Sequence, residues 1–227
     1  MALKTRLTEM LNIKHPIMLA GMGGVSYAEV CAAMCNAGGY GVLGMAGTTP
    51  DFIAGQMKRV RELTDRPFGV DLLAASPESL EESVDVIING GADSFVAGLG
   101  VPMPIMERLK KANVKVMVVG GAVKHAIKAE QAGCDAVILQ GGEGGGHTGL
   151  VGTLPLVAQA VEAAKIPVIR KDMLPEMKSC ARMSVEREVV IVDLHWRFAR
   201  AGTMEGRKVL SAPRSPGRQG AAGSWND

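Results

Sequence analysis

The sequence has no apolar run approaching the roughly 20 residues that a membrane-spanning helix needs; its longest stretches, such as 114–119 and 136–139, are far shorter. No transmembrane helix is expected. Behind the opening Met1-Ala-Leu-Lys-Thr-Arg6 there is no continuous apolar stretch, so a cleaved secretory signal is not expected and the chain reads as cytoplasmic. An excess of one charge is also missing. With 25 basic and 23 acidic residues the formal net charge is +2, which gives no electrostatic case for a nucleic-acid or anionic-membrane partner. The four cysteines, Cys31, Cys35, Cys134 and Cys180, include no Cys-x-x-Cys pair. Cys31 and Cys35 stand four apart on a helical stretch and read as small buried hydrophobes, so no metal site is expected.

What is present is apolar material enough for a core: 47% hydrophobic residues in a chain of 227, the size of one domain. Short apolar segments at 16–20, 41–45, 68–73, 94–99, 115–120, 136–140 and 167–170 alternate with amphipathic ones, as in parallel sheets built from βαβ units. Their continuous Val, Ile, Leu and Met content suits strands covered on both faces. Helix starts are expected at the Ser26-Tyr-Ala-Glu29 capping box and at Thr49-Pro50 and Ser76-Pro77. Ile53, Met57 and Val60 then share one helical face, as do Leu80, Val84, Ile87 and Ile88. Asn36-Ala-Gly-Gly, Asn89-Gly-Gly-Ala and Gln131-Ala-Gly-Cys each precede a strand, with glycine placed to end the helix in the left-handed conformation. One unit about every 25 residues matches a barrel of eight βα units, although an open doubly wound sheet has the same periodicity. After residue 170 only 188–194 looks like a further strand, and the stretch from Trp196 onward has few large apolar residues.

Three glycine-rich segments follow or flank strands. Ala20-Gly-Met-Gly-Gly24 leaves backbone amides open to close approach by a flat ring or a phosphate. Gly39-Tyr-Gly-Val-Leu-Gly44 matches G-x-G-x-x-G, but it ends a helix and contains a strand, so a dinucleotide-binding reading is rejected. Gln140-Gly-Gly-Glu-Gly-Gly-Gly-His-Thr-Gly149 carries the candidate catalyst, His147, the one side chain in the second half of this loop able to move a proton near neutral pH. The residues alone leave His147 as either a structural hydrogen-bonding group or a catalyst, and Glu143 as a solvent-facing loop carboxylate.

Taken together, Pro16-Ile-Met-Leu-Ala-Gly-Met22, Ala37-Gly-Gly-Tyr-Gly-Val-Leu-Gly44, Phe68-Gly-Val-Asp-Leu72 and the Gln140 to Gly149 loop resemble the nitronate monooxygenases, formerly 2-nitropropane dioxygenases, and the related flavin-dependent enoyl-acyl-carrier-protein reductases. The resemblance covers about residues 5–169. It implies an α/β fold, a TIM (β/α)8-type barrel that is incomplete or irregular after the seventh strand. Residues 1–170 would be the FMN-binding core and 171–227 an atypical, partly disordered tail. It implies FMN as cofactor, lined by Ala20, Gly21, Met22 and Gly23, with Asp71, Gln140, Gly145 and Gly146 contacting it and His147 beside its reactive edge. The implied reaction is oxidation of alkyl nitronates by O2 to carbonyl compounds and nitrite, with a nitronate or nitroalkane as the small-molecule partner. An NAD(P)H-dependent enoyl thioester reductase and a non-catalytic truncated barrel with impaired FMN binding are the alternatives.

Two departures from the family pattern stand out. Asp71 stands where relatives carry asparagine, and Gly21 where they often carry proline, which is expected to loosen that loop. The family's Gly-Gly-Ile and Met-Gly-Thr-Arg-Phe segments, which grip the FMN phosphate, are missing. Arg170-Lys171 follows the seventh strand instead and reads as a solvated basic pair. A frame change, a retained intron or an alternative end would each give such a tail, and weakened FMN binding is expected from it.

Overall fold

Strands and helices alternate along the chain in the computed structural model, which describes residues 4–145, 148–172 and 190–192, the last three and Asp172 by their backbone. The described strands are β1 (Ile17–Leu19), β2 (Gly41–Gly44), β3 (Phe68–Leu73), β4 (Ser94–Gly98), β5 (Lys115–Gly120), β6 (Ala136–Gln140), β7 (Val168–Asp172) and β8 (Val190–Val192). A short helix α1 (Arg6–Leu11) precedes them. Between them run α2 (Ala28–Asn36), α3 (Pro50–Leu63), α4 (Pro77–Asn89), α5 (Met103–Lys111), α6 (Val123–Gln131) and α7 (Thr153–Ala163).

Every neighbouring strand pair is parallel, in the order β1-β8-β7-β6-β5-β4-β3-β2. The two ends of that order meet. Met18 bridges Tyr40, with the Leu19 amide donating to the Tyr40 carbonyl at 2.8 Å and the Tyr40 amide to that of Ile17 at 2.9 Å. The sheet is therefore a ring of the TIM-barrel type, and the open doubly wound sheet is excluded. Its two shortest strands, β1 and β8, have three residues each.

The period-2 alternation of strand side chains sorts the core into two parts. Val42, Val96, Met117, Ile138 and Ile169 pack inside the ring. Their strand neighbours Leu43, Phe95, Val118, Val137 and Val168 pack outward, against buried helix residues such as Ile53, Leu80 and Leu109. The interior is further filled by Tyr40, whose hydroxyl hydrogen-bonds the Ser94 Oγ at 2.7 Å. Leu7 and Leu11 of α1 belong to the same interior cluster and close the end of the barrel away from the strand C-termini.

Most helix punctuation follows the sequence. Thr49 caps α3 by accepting from the Phe52 amide, and Gly38, Gly91 and Gly133 take positive φ just past α2, α4 and α6. Two local expectations are corrected. Ser26 caps nothing: the N-cap of α2 is Tyr27, and the Ala28 amide is satisfied by Gln56 Oε1 of α3 at 2.9 Å. Ser76 sits at the N-cap of α4 with Pro77 behind it, but its hydroxyl makes no capping bond. Helix α1, capped by Thr5 and Thr8, is too short to announce itself by periodicity. No helix among the described residues is long and apolar enough to cross a membrane.

Candidate active site

The site is built where the C-terminal ends of the strands converge, as barrel architecture favours. The β1 loop comes first. Buried Ser26, freed from capping, donates from its hydroxyl to the Ala20 carbonyl at 2.7 Å and accepts from the Met22 amide at 3.1 Å. The Gly44 amide donates to the Ser26 carbonyl at 3.0 Å, and a Cβ on Gly44 would strike the Met22 backbone at 2.4 Å. Only glycine at the end of β2 lets this loop fold down onto the strand. At Gly21 the α-carbon faces Asp71 so closely that a Cβ would overlap the aspartate Cβ and lie 2.5 Å from Oδ2. Gly23 is exposed, and a Cβ there would meet nothing closer than the Ala46 carbonyl at 4.0 Å, so the outer half of the loop is open to a ligand.

Asp71 follows the outward-facing Val70 on β3 and faces the barrel opening, which it lines with Ala20, Gly21, Val42, Val96 and Lys171. It is 9% exposed, and its carboxyl makes no hydrogen bond among the described residues. Burial pushes its pKa up to about 8, against a smaller opposing pull from the Lys171 ammonium. Asp71 is therefore largely protonated at pH 7, and in that form a donor as well as an acceptor.

Arg170 and Lys171 are not a solvated pair. Alternation along β7 turns Arg170 outward, where it is 7% exposed, and Lys171 inward, two residues beyond the interior Ile169. Lys171 is thus a site residue that ending the strand at residue 170 had hidden. The signal was present in the strand period.

The β6 loop braces itself. Gln140, last in β6 and paired with Lys171 in the β6–β7 register, is 2% exposed and donates from Nε2 to the Gly145 carbonyl at 2.6 Å. Glu143 is exposed as expected, but its Oε2 also accepts from the Thr153 amide at 2.7 Å and hydroxyl at 2.9 Å, which caps α7 across the loop. Those bonds, the Thr153 amide first, hold its pKa below the ordinary carboxylate value. The Thr153 hydroxyl also accepts from the Gly141 amide at 3.1 Å. Gly146 and His147, which follow Gly145 in the sequence, lie outside the described residues.

Of the site residues expected from sequence, Ala20, Gly21 and Asp71 line one opening, Met22 and Gly23 form the loop above it, and Gln140 ends the strand beside Lys171, with Gly145 in the loop that Gln140 braces. A larger cleft of about 700 Å³ opens at the opposite end of the barrel, bordered by Asn12, Asp65, Asp93 and Lys115. It lies at the strand N-termini, where barrels keep stability rather than chemistry. Another group the sequence had not singled out is His125, in the first turn of α6: its Nδ1 accepts from the Gly121 amide at 3.0 Å, and burial lowers its pKa to about 4.

Comparison with known proteins agrees with the barrel fold. A family model described as nitronate monooxygenase matches residues 4–90 and 81–171. A Mycobacterium tuberculosis protein named (3aS,4S,5R,7aS)-5-hydroxy-7a-methyl-1-oxo-octahydro-1H-indene-4-carboxyl-CoA dehydrogenase is 42% identical over 172 residues, 74% of this chain and 48% of its own length. A probable nitronate monooxygenase of Staphylococcus saprophyticus is 32% identical, over 74% of this chain and 61% of its own. The structure of FabK from Thermotoga maritima superposes with a TM-score of 0.79 at 33% identity, covering 85% of this chain and 62% of that one. The chain thus spans about half the length of the first of these relatives and less than two thirds of the others.

Proposed function

The chain belongs to the nitronate monooxygenase family, and from that membership we propose that it is an FMN-dependent oxidoreductase that oxidises alkyl nitronates with O2 to carbonyl compounds and nitrite. One observation carries the reading: Ala20, Gly21, Asp71 and Lys171 surround a single opening at the C-terminal mouth of a closed parallel barrel. The space between these residues is about 10 Å³, so a flavin would lie across this mouth rather than within it. Its walls are apolar, the Gly23 side of the loop is open, and the neutral carboxyl of Asp71 offers both a donor and an acceptor. The backbone of Ala20 to Gly23 would lie along the ring system, with Asp71 and Gln140 at its polar edges. When bound, FMN supplies the redox capacity that side chains lack.

The chain's own residues supply binding and proton handling. The interior residues Met18, Val42 and Val96 keep water out from below. Lys171 stabilises negative charge at the mouth, which favours an anionic nitronate over a neutral nitroalkane. His147 orients the nitro group and serves as the base when a neutral nitroalkane is used, a role that rests on its matching the family's Gly-Gly-His run.

A second reading is favoured by the 42% identical relative, whose name places its substrate among coenzyme A thioesters. On that reading the mouth accepts an acyl thioester and a nicotinamide reductant. The two are separated by experiment. Apo-protein is titrated with FMN by fluorescence quenching, then assayed for nitrite release from ethyl nitronate. Nitrite formation that falls at least tenfold in His147→Asn at equal flavin content, about 1.4 kcal/mol of transition-state stabilisation, supports the first. Anaerobic bleaching of the flavin by NADPH without nitrite release supports the second. A colourless protein that takes up no FMN refutes both and leaves a non-catalytic barrel.

A further inference from the structure

We propose that Cys31 and Cys35 form a hydroperoxide-reactive dithiol in the helix layer, in which Cys35 is oxidised first and Cys31 closes a disulfide onto it. The inference is independent of the flavin site. It stands first on placement. Both cysteines lie on α2, four residues apart, with Cys35 one residue before its end. Both sulfurs press on the start of β2: a Cβ on Gly41 would lie 2.6 Å from the Cys31 Sγ and 2.7 Å from that of Cys35. The two thiols are hydrogen-bonded to each other. The Gly41 amide donates to the Cys35 Sγ at 3.3 Å, and the Cys35 thiol donates to the Pro67 carbonyl at 3.3 Å. Cys35 also borders a cavity of about 180 Å³, together with Lys14, Asn36, Gly39 and Arg66; Cys31 does not. A water takes about 30 Å³, so the cavity has room for hydrogen peroxide. At 1% exposure Cys35 is closed to bulky reagents and open only to one small enough to enter there.

The surroundings divide the work between the two sulfurs. Donation from the Cys31 thiol lowers the pKa of Cys35 against its burial, with the Gly41 amide and the Arg61 guanidinium adding to the pull. The same bond, together with burial, raises that of Cys31. Cys35 is thus the sulfur that ionises and attacks, while Cys31 holds its proton for the second step. In the first step the Cys35 sulfur attacks one peroxide oxygen and the O–O bond breaks. The departing hydroxide takes the proton that Cys35 gave up and leaves as water, and Cys35 becomes a sulfenic acid. The Cys31 sulfur then displaces the hydroxyl from Cys35, which leaves as a second water with the Cys31 proton. The two thiols lose two electrons and the peroxide gains them.

Closing the disulfide moves the chain. Residues four apart in a helix have α-carbons about 6 Å apart, within the span of a disulfide, but their Cβ atoms must come in from about 5–6 Å to about 4 Å. The shift falls on Cys35, which stands in the last turn of α2 and is followed by Gly38 at positive φ and Gly39. Through these glycines it reaches Tyr40, whose backbone bonds to Ile17 and Leu19 make the junction between β1 and β2. Oxidation therefore loosens the ring where a single bridge holds it.

The test treats the full chain, reduced and freed of reductant, with hydrogen peroxide, then alkylates the remaining thiols for peptide mapping. One tryptic peptide, 15–58, carries both cysteines. Expected is a form of that peptide lacking two hydrogens and taking up no alkylating reagent, with both thiols restored by dithiothreitol. It should appear about tenfold faster than any oxidation of Cys134, whose thiol is buried and pushed up to about 11 by that burial. Cys31→Ser should stop at a Cys35 sulfenic acid that dimedone traps, and Cys35→Ser should leave Cys31 reduced, each with a melting transition that confirms folding. Amide exchange at Leu19 and Tyr40 should be about tenfold faster in the oxidised chain than in the reduced one. In the wild-type chain, both cysteines still open to alkylation once Cys134 is oxidised, or a disulfide from either to Cys134 or Cys180, would overturn the dithiol. A dimedone adduct on Cys31 in place of Cys35 would overturn the order of the steps. Unchanged exchange at Leu19 and Tyr40 after the disulfide has formed would overturn its link to ring closure.

Discussion

At the scale of single residues, the fold holds Asp71 far from what a carboxyl group prefers in water. Its carboxyl titrates near 8 in the folded chain, against about 4 in an unfolded one, because ionising it inside an apolar ring removes hydration that nothing replaces. The sign of the consequence follows. The folded state binds the proton more tightly, so this group's contribution to stability is fully present below about pH 4 and is lost as pH rises through about 8. Each unit of difference corresponds to about 1.4 kcal/mol, so the group alone gives a visible slope. Asp71→Asn removes the titration while keeping the shape. Its thermal midpoint should exceed that of the wild type at about pH 9, with the gap closing toward pH 5; parallel curves for the two proteins across that range would show that Asp71 is already ionised. Gly21 belongs to the same arrangement, since any side chain there would overlap the Asp71 carboxyl.

At the scale of elements, the sequence was most informative where burial is regular and least where one residue serves a distant partner. All seven apolar segments became strands within about two residues of their expected ends, and the isolated apolar patch at 188–194 contains β8. These succeed because a strand covered on both faces needs nothing but an apolar run. Ser26 failed because the spacing rule for a capping box knows nothing of the β1 loop, whose Ala20 carbonyl and Met22 amide claim the hydroxyl first. Lys171 was hidden because the residues after 170 were read as tail, and a basic pair in a tail is normally solvated. Glu143 was legible as an exposed carboxylate but not as the cap of α7, ten residues on, since that bond exists only once the glycine loop has closed. Its removal measures that closure. Glu143→Ala should destabilise the chain by about 1 kcal/mol, the usual worth of an N-cap, with faster amide exchange at Thr153 and Gly141. In the wild type the contribution is present above the ordinary carboxylate pKa and lost as pH falls through the lowered folded value. Unaltered exchange at both amides in Glu143→Ala would mean that the loop holds itself without the cap.

At the scale of the whole molecule, the ring depends on one of its two three-residue strands. β8 pairs with β1 through Ile17, Met18 and Leu19 on one side and with Arg170, Lys171 and Asp172 of β7 on the other, whereas β1 reaches β2 through the single bridge at Met18 and Tyr40. Removing β8 would therefore leave β1 held on one side only and open two unpaired edges beside the interior cluster that contains Met18, Leu19 and Ile169. The lost ladder bonds are individually worth about 1 kcal/mol net, but the larger effect is water reaching side chains that are now at most a few per cent exposed. Unpaired parallel edges also recruit other chains. A chain ending at residue 172 should accordingly lose its cooperative thermal transition or self-associate, read by calorimetry and by light scattering. A chain ending at residue 192 keeps β8 and should melt within a few degrees of the full sequence. If the 172-residue chain stays monomeric with an unchanged melting midpoint, β8 contributes nothing to closure, and the barrel is held by the β1–β2 bridge and the α1 plug alone.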